Sequence, residues 1–125
     1  MSMRRVSPEC NLMTVRDGRG GIFTYYPTEP ILEWNLIFTR AGESRGFHYH
    51  KEFEEFILVT SGHGTYVGKE DDGSESFFKV AAGDCLHFPS GTAHTLYCIT
   101  DMRLVALLTK RWDDCVEPLT RIVDA

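Results

Sequence analysis

Apolar positions along this chain come in short runs, several of them alternating with polar ones, and turn-forming residues cut the runs to about 4 to 8 residues. Runs rich in Val, Ile, Phe, Tyr, Thr or Leu cover residues 22–26, 33–39, 55–60, 64–68, 76–80, 85–88, 95–99 and 103–109, which predicts eight β-strands. Their separators are turn sequences: residues 40–46, Ser61-Gly62-His63-Gly64, Lys69-Glu70-Asp71-Asp72-Gly73, Ala82-Gly83-Asp84 and Pro89-Ser90-Gly91. None is long enough to be a linker. A helical turn is expected from Trp112 onward, limited by Pro118. Short, evenly spaced strands in 125 residues predict one all-β domain over residues 1–125, an antiparallel sandwich or barrel. Jelly-roll and lipocalin-like architectures compete at this point.

Composition narrows the partners. Thirteen Lys and Arg against eighteen Asp and Glu give a net charge of -5 spread along the chain, so no basic face for nucleic acid is expected. No apolar run approaches the roughly 20 residues of a membrane span, and Met1 to Cys10 lacks the apolar stretch of a signal peptide. A soluble cytoplasmic protein without a membrane partner is the expectation. Cys10, Cys85, Cys98 and Cys115 lie far apart with no C-x-x-C pair, which excludes a zinc knuckle or thioredoxin-type motif. They read as free thiols used as small hydrophobes.

The histidines carry the chemical signal. In Gly46-Phe47-His48-Tyr49-His50, residues two apart on a strand project to one face, so two imidazoles converge. Residues 51–54 must bend or bulge before Glu55, after which Glu55, Ile57 and Val59 share a face opposite Phe56 and Leu58. His94 follows the Pro89-Ser90-Gly91 turn and shares its face with Leu96 and Cys98. Three imidazoles and a carboxylate suit Fe, Mn, Ni, Zn or Cu as a divalent ion, and four protein donors leave open positions on an octahedral metal. Taken singly, each histidine also reads as a surface or hydrogen-bonded residue. Glu54 competes with Glu55 for the carboxylate role.

Spacing brings in a family. Gly42, His48, His50, Glu55 and Gly62 reproduce the first cupin signature, and Gly83, Pro89, Gly91 and His94 the second, with Cys98 where that signature has Asn. The chain therefore resembles a small single-domain cupin. That resemblance implies a double-stranded β-helix of the jelly-roll kind, with its barrel core at about residues 33–110, the site inside it and a homodimeric assembly.

A narrower likeness covers residues 17–112. Asp17-Gly18-Arg19-Gly20 with Ile22, then Ser44-Arg45-Gly46-Phe47-His48-Tyr49-His50-Lys51, then Asp72-Gly73 and the His94 segment, are similar to the nucleotide-sugar cupins. These are the dTDP-sugar 3,4-ketoisomerases and 3,5-epimerases of polysaccharide synthesis. In the ketoisomerases the two motif histidines move protons without a metal, which implies His48 and His50 as catalytic residues. Those enzymes generally lack the carboxylate that Glu55 supplies, and its presence points to metal binding by His48, His50, Glu55 and His94.

Isomerising a keto sugar needs a base near neutrality, a role suited to imidazole. Enolate charge needs a donor or cation, for which Arg45, Tyr49 or the metal qualify. Arg45 and Lys51 suit a pyrophosphate, and the resemblance adds Arg19 as a substrate contact. The competing functions are an iron-dependent dioxygenase of a small molecule and a non-catalytic sugar or small-ligand binder. His63 and His87 read as structural or surface residues, and Glu52 and Glu54 as parts of a solvated bend.

Overall fold

The computed structural model describes the backbone of residues 4–6 and 13–122 and the side chains of residues 18–122. Its strands are β1 (Arg4–Val6), β2 (Met13–Asp17), β3 (Gly20–Phe23), β4 (Glu33–Thr39), β5 (His48–Tyr49) and β6 (Glu55–Ser61). They continue with β7 (His63–Lys69), β8 (Glu75–Ala81), β9 (Cys85–Phe88), β10 (Ala93–Cys98), β11 (Met102–Leu108) and β12 (Thr120–Arg121). One 3-10 turn, Trp112–Asp114, precedes β12 and matches the short helical turn expected there. Two five-stranded antiparallel sheets, ordered β1-β9-β6-β11-β4 and β12-β5-β10-β7-β8, face one another as a jelly-roll barrel, and β2 and β3 form a separate hairpin. No helix among the described residues is long and apolar enough to cross a membrane.

All eight expected strands form, with ends moved by one or two residues except at the first. That strand begins at Gly20, because the Gly18-Arg19 turn pairs it with β2. β1, β2, β5 and β12 carry too few apolar residues to stand out locally; β1, β5 and β12 exist through pairing with distant partners, and β2 through the hairpin with β3. In β5, His48 pairs with His94 of β10 on one side and Arg121 of β12 on the other.

The core lies between the sheets. Ile57 and Val59 of β6, Leu86 and Phe88 of β9 and Leu104 and Ala106 of β11 pack against Tyr66, Val80, Leu96 and Cys98 of the opposite sheet. Strict alternation places these side chains inward while their sequence neighbours point out. Two glycines allow the hairpin of β6 and β7 to lie against the end of β10 and the turn before β11. A Cβ on Gly62, whose φ is +85°, would fall 2.0 Å from the Asp101 carbonyl oxygen, and one on Gly64 would fall 2.4 Å from that of Tyr97. The signature glycine at 62 is thus demanded both by backbone conformation and by close approach.

Cys85 and Cys98 are buried free thiols and Cys115 is a half-buried one, while Cys10 lies outside the described residues. Burial pushes the Cys85 thiol up to about 11, so it behaves as a small hydrophobe. Cys98, standing where the cupin signature has Asn, accepts from the amide of Gly42 through its carbonyl (2.8 Å) and donates its own amide to the Glu43 carbonyl (3.1 Å).

Candidate metal and ligand site inside the barrel

The two signature segments are tied together before any side chain meets. The amide of Gly91 donates to the His50 carbonyl (2.8 Å), and the Ser90 hydroxyl donates to the Phe53 carbonyl (3.0 Å). This brings the Pro89-Ser90-Gly91 turn against the bend at residues 51–54, and the direct pairing of His48 with His94 follows. His48, His50 and His94 each present a ligand nitrogen within 4.8 Å of the others. One Glu55 carboxylate oxygen lies 3.5 Å from His50 Nε2 and 3.6 Å from His94 Nε2.

The orientation of the rings is settled by their other nitrogens. Nδ1 of His48 contacts the Gly46 carbonyl (3.1 Å), Nδ1 of His50 the Pro118 carbonyl (2.9 Å) and Nδ1 of His94 the Thr92 carbonyl (2.9 Å). A carbonyl only accepts, so each Nδ1 carries the proton, and in the neutral rings Nε2 keeps its lone pair for the shared space. Second contacts of this kind orient metal-ligating histidines and raise their basicity. Phe88 stacks on His94 at 4.0 Å and Phe53 on His50 at 4.6 Å, which limits ring rotation. The three imidazoles, backed by three carbonyls, therefore form a group that could hold a divalent transition metal, with the Glu55 carboxylate beside His50 and His94.

Electrostatics separate His48, His50 and Glu55. Burial, helped by His94 and His50, holds His48 down at about 4, so it is neutral at physiological pH. Burial acts to raise the Glu55 pKa, but hydrogen bonds and charge from His50 and His94 outweigh it and bring the carboxyl to about 2. For His50 burial acts downward, and the Glu55 hydrogen bond and charge, with the Pro118 carbonyl, leave its pKa raised.

Glu54 and Glu55 face opposite ways. Glu55 points inward, whereas a Glu54 carboxylate oxygen meets His87 Nε2 at 2.6 Å, and His87 stacks on Phe56 at 4.4 Å on the outer face of the sheet. Glu52, expected in a solvated bend, instead receives the backbone amides of Val116 and Glu117 (3.2 and 2.6 Å). His63 is exposed at the start of β7.

Two cavities open on the imidazoles. An outer one of about 500 Å³ is lined by Arg45, His48, His50, Glu55, Trp112, Leu119 and Arg121 together with Leu36, Ile37 and Phe38. An inner one of about 80 Å³ lies among His48, Glu55, His94, Tyr66, Ile57, Leu96 and Leu104. Arg45 reaches both and is braced by Thr39 Oγ1 (3.1 and 2.9 Å) and the Phe38 carbonyl (3.1 Å). The other expected substrate contacts line neither cavity. Arg19 sits on the exposed turn of the hairpin of β2 and β3, Tyr49 alternates away from the two histidines that flank it, and Lys51 is exposed and paired with Glu117.

Sequence reasoning missed Trp112, Leu119, Arg121 and Tyr66. The first three come from a tail that nothing local marks as part of the site. Tyr66 had a signal, since Gly64 and Gly68 flank it on the same face of β7 and leave room for an inward ring. Burial, and then the Glu55 charge, raises the Tyr66 hydroxyl well above its ordinary value and keeps it protonated.

The cupin domain family model matches residues 36–109. No curated protein matches the sequence. Among solved structures, a 3,4-ketoisomerase from Helicobacter canadensis is similar with TM-score 0.79 and 16% identity, covering 98% of this chain and 92% of that one. The WlaRB TDP-quinovose 3,4-ketoisomerase from Campylobacter jejuni gives TM-score 0.75 and 19% identity, covering 93% and 91%. The capsular polysaccharide assembling protein CapF from Staphylococcus aureus gives TM-score 0.66 and 22% identity over 89% of this chain, which spans only 34% of that protein. At these identities the likeness is one of fold.

Proposed function

The chain belongs to the cupin family, and from that premise we propose that it is a metal-holding enzyme with isomerase- or epimerase-like proton transfer on a nucleotide-linked keto sugar of polysaccharide synthesis. The observation that carries this reading is the outer cavity, where Arg45 and Arg121 share about 500 Å³ with three donors of the metal set. That volume lies within the range of small-molecule sites, and two guanidinium groups match a diphosphate. The solved ketoisomerases of the same fold support it.

His48, His50, Glu55 and His94 would hold the metal. When bound, such an ion supplies Lewis acidity that polarises a carbonyl and stabilises enolate charge. The remaining steps belong to the chain. Arg45 and Arg121 bind the diphosphate, Trp112 gives the mouth an aromatic wall, and the protonated Tyr66 hydroxyl donates toward developing oxyanion charge. Without an ion, the histidines divide acid from base: neutral His48 accepts a proton at Nε2, and His50, raised by Glu55, donates one.

Elemental analysis of untagged protein, followed by turnover of a dTDP-4-keto-6-deoxyhexose in D₂O, tests the reading. Deuterium entering the sugar supports it. Undiminished turnover by Glu55→Gln overturns the metal's part and leaves the histidine pair as the machinery. Metal-dependent oxygen uptake with no sugar turnover transfers the site to the dioxygenase reading, which the 80 Å³ inner chamber favours as a space for a diatomic ligand. The same proposal includes a homodimer working in the cytoplasm, and a monomer in sedimentation at micromolar concentration overturns the dimer.

A further inference from the structure

His94 is carried by a strand paired along its length, whereas β5, which carries His48 and stops one residue short of His50, is two residues long. On its inner side it is held by a single residue pair, His48 with His94, and just past its end by the Gly91 amide on the His50 carbonyl (2.8 Å). On its outer side the tail of the chain holds it. Tyr49 and His48 pair with Thr120 and Arg121, the Ile122 amide donates to the Phe47 carbonyl (3.1 Å), and the Pro118 carbonyl receives the Nδ1 proton of His50 (2.9 Å). Residues 111–122 thus form a strap across the barrel mouth.

Beneath this strap the Trp112 amide donates to Glu33 (2.9 Å), Lys51 pairs with Glu117, and Glu52 alone takes two consecutive backbone amides next to Pro118. Both carboxylate oxygens of Glu52 are used: one accepts the Glu117 amide (2.6 Å), and the other accepts the Val116 amide (3.2 Å) and lies 3.3 Å from Lys110 Nζ. Val116 and Glu117 immediately precede Pro118. Glu52 is two residues beyond His50, so the clasp and the ring it steadies lie on the same bend, joined through the strap in a closed circuit. Trp112, Leu119 and Arg121, the tail's contribution to the outer cavity, ride on the same segment.

We propose that Glu52 is a positioning residue of the site. By clasping the strap it keeps the Pro118 carbonyl on His50 Nδ1, and this keeps His50 Nε2 turned toward Glu55, His48 and His94. The inference rests on the metal-holding reading for its consequence but not for its first step, which is the tautomer of His50.

Two measurements on the full-length chain separate the steps. In metal-free protein, at a pH high enough to leave the His50 ring neutral, ring ¹⁵N shifts are expected to show His50 protonated at Nδ1 in the wild type and a mixture of tautomers in Glu52→Ala, with faster amide exchange in residues 111–122 and unchanged protection of β6 and β11. Titration with Co²⁺ alone is then expected to show affinity about 10- to 100-fold weaker in Glu52→Ala. Glu52→Gln, which keeps one acceptor oxygen, should fall between. An unchanged His50 tautomer in Glu52→Ala overturns the proposal, as does unchanged Co²⁺ affinity once the strap exchanges faster. If the wild type binds no Co²⁺, the metal reading fails while the tautomer still decides the role of Glu52. Should Glu52→Ala fail to fold by circular dichroism, Glu52→Gln carries both measurements.

Discussion

One half of the site is built by the barrel and the other half is clipped onto it. His94 sits in β10, which pairs with β7 over six residues, and Glu55 opens β6, which lies between β9 and β11. His48 and His50 instead depend on a two-residue strand and on a tail that reaches them from some 70 residues away in sequence. Long ladders with buried faces tie their residues to global stability, whereas short peripheral pairing opens at lower free energy. Damage to the barrel half should therefore appear as unfolding, and damage to the clipped half as a misplaced ligand in a folded protein.

The most severe test of that contrast is Phe88→Ala. Phe88 is 2% exposed and forms the wall behind His94, so its truncation is expected to cost about 3–5 kcal/mol of stability in urea denaturation. A stable Phe88→Ala protein would dissolve the distinction between the halves. Glu55→Gln keeps shape and removes charge, and its Co²⁺ affinity is expected to fall by about 100-fold or more, beyond what outer partners of a ligand usually contribute.

The pH dependence of the metal-free protein gives a third test. His48 titrates at about 4 when folded and 6.5 when not, so the unfolded chain takes up the proton first. Stability should drop as pH falls from 6.5 to 4, by about 3 kcal/mol from this group. His50, with a raised pKa, acts in the opposite sense, its contribution being complete below pH 6.5 and lost as pH rises through its folded value. The Glu55 contribution is present above pH 4.5 and fades toward pH 2. Denaturation between pH 4 and 7 in wild type and His48→Asn checks this, since the variant should lack the His48 slope. Smallest is Glu54→Ala, which leaves buried His87 without its partner and should cost about 1–3 kcal/mol while leaving Co²⁺ affinity unchanged. Weakened Co²⁺ binding there would mean that the outer face of the sheet communicates with the inner one.

Much of this site was legible because its spacing is short-range and periodic. His48 and His50 share a face through the two-residue repeat of a strand, and the bend at residues 51–54 resets the phase so that Glu55 turns inward. The choice between Glu54 and Glu55 was open until His87 was seen to claim Glu54 on the other face. Lys51 and Tyr49 looked like substrate contacts because they neighbour the histidines in sequence, but Lys51 pairs with Glu117 and Tyr49 alternates away. Arg121 and Trp112, distant in sequence, occupy the cavity instead.

What the amino-acid sequence determined by itself was an all-β chain of cupin type with three imidazoles and a carboxylate at set intervals, since alternation and turn chemistry act within a few residues. Which side chains surround that set was decided only by the tertiary structure. The clasp of Glu52 on Val116 and Glu117, and the carbonyl of Pro118 on His50, join residues more than 60 apart, and hydrogen bonds at that separation leave no periodic trace along the chain.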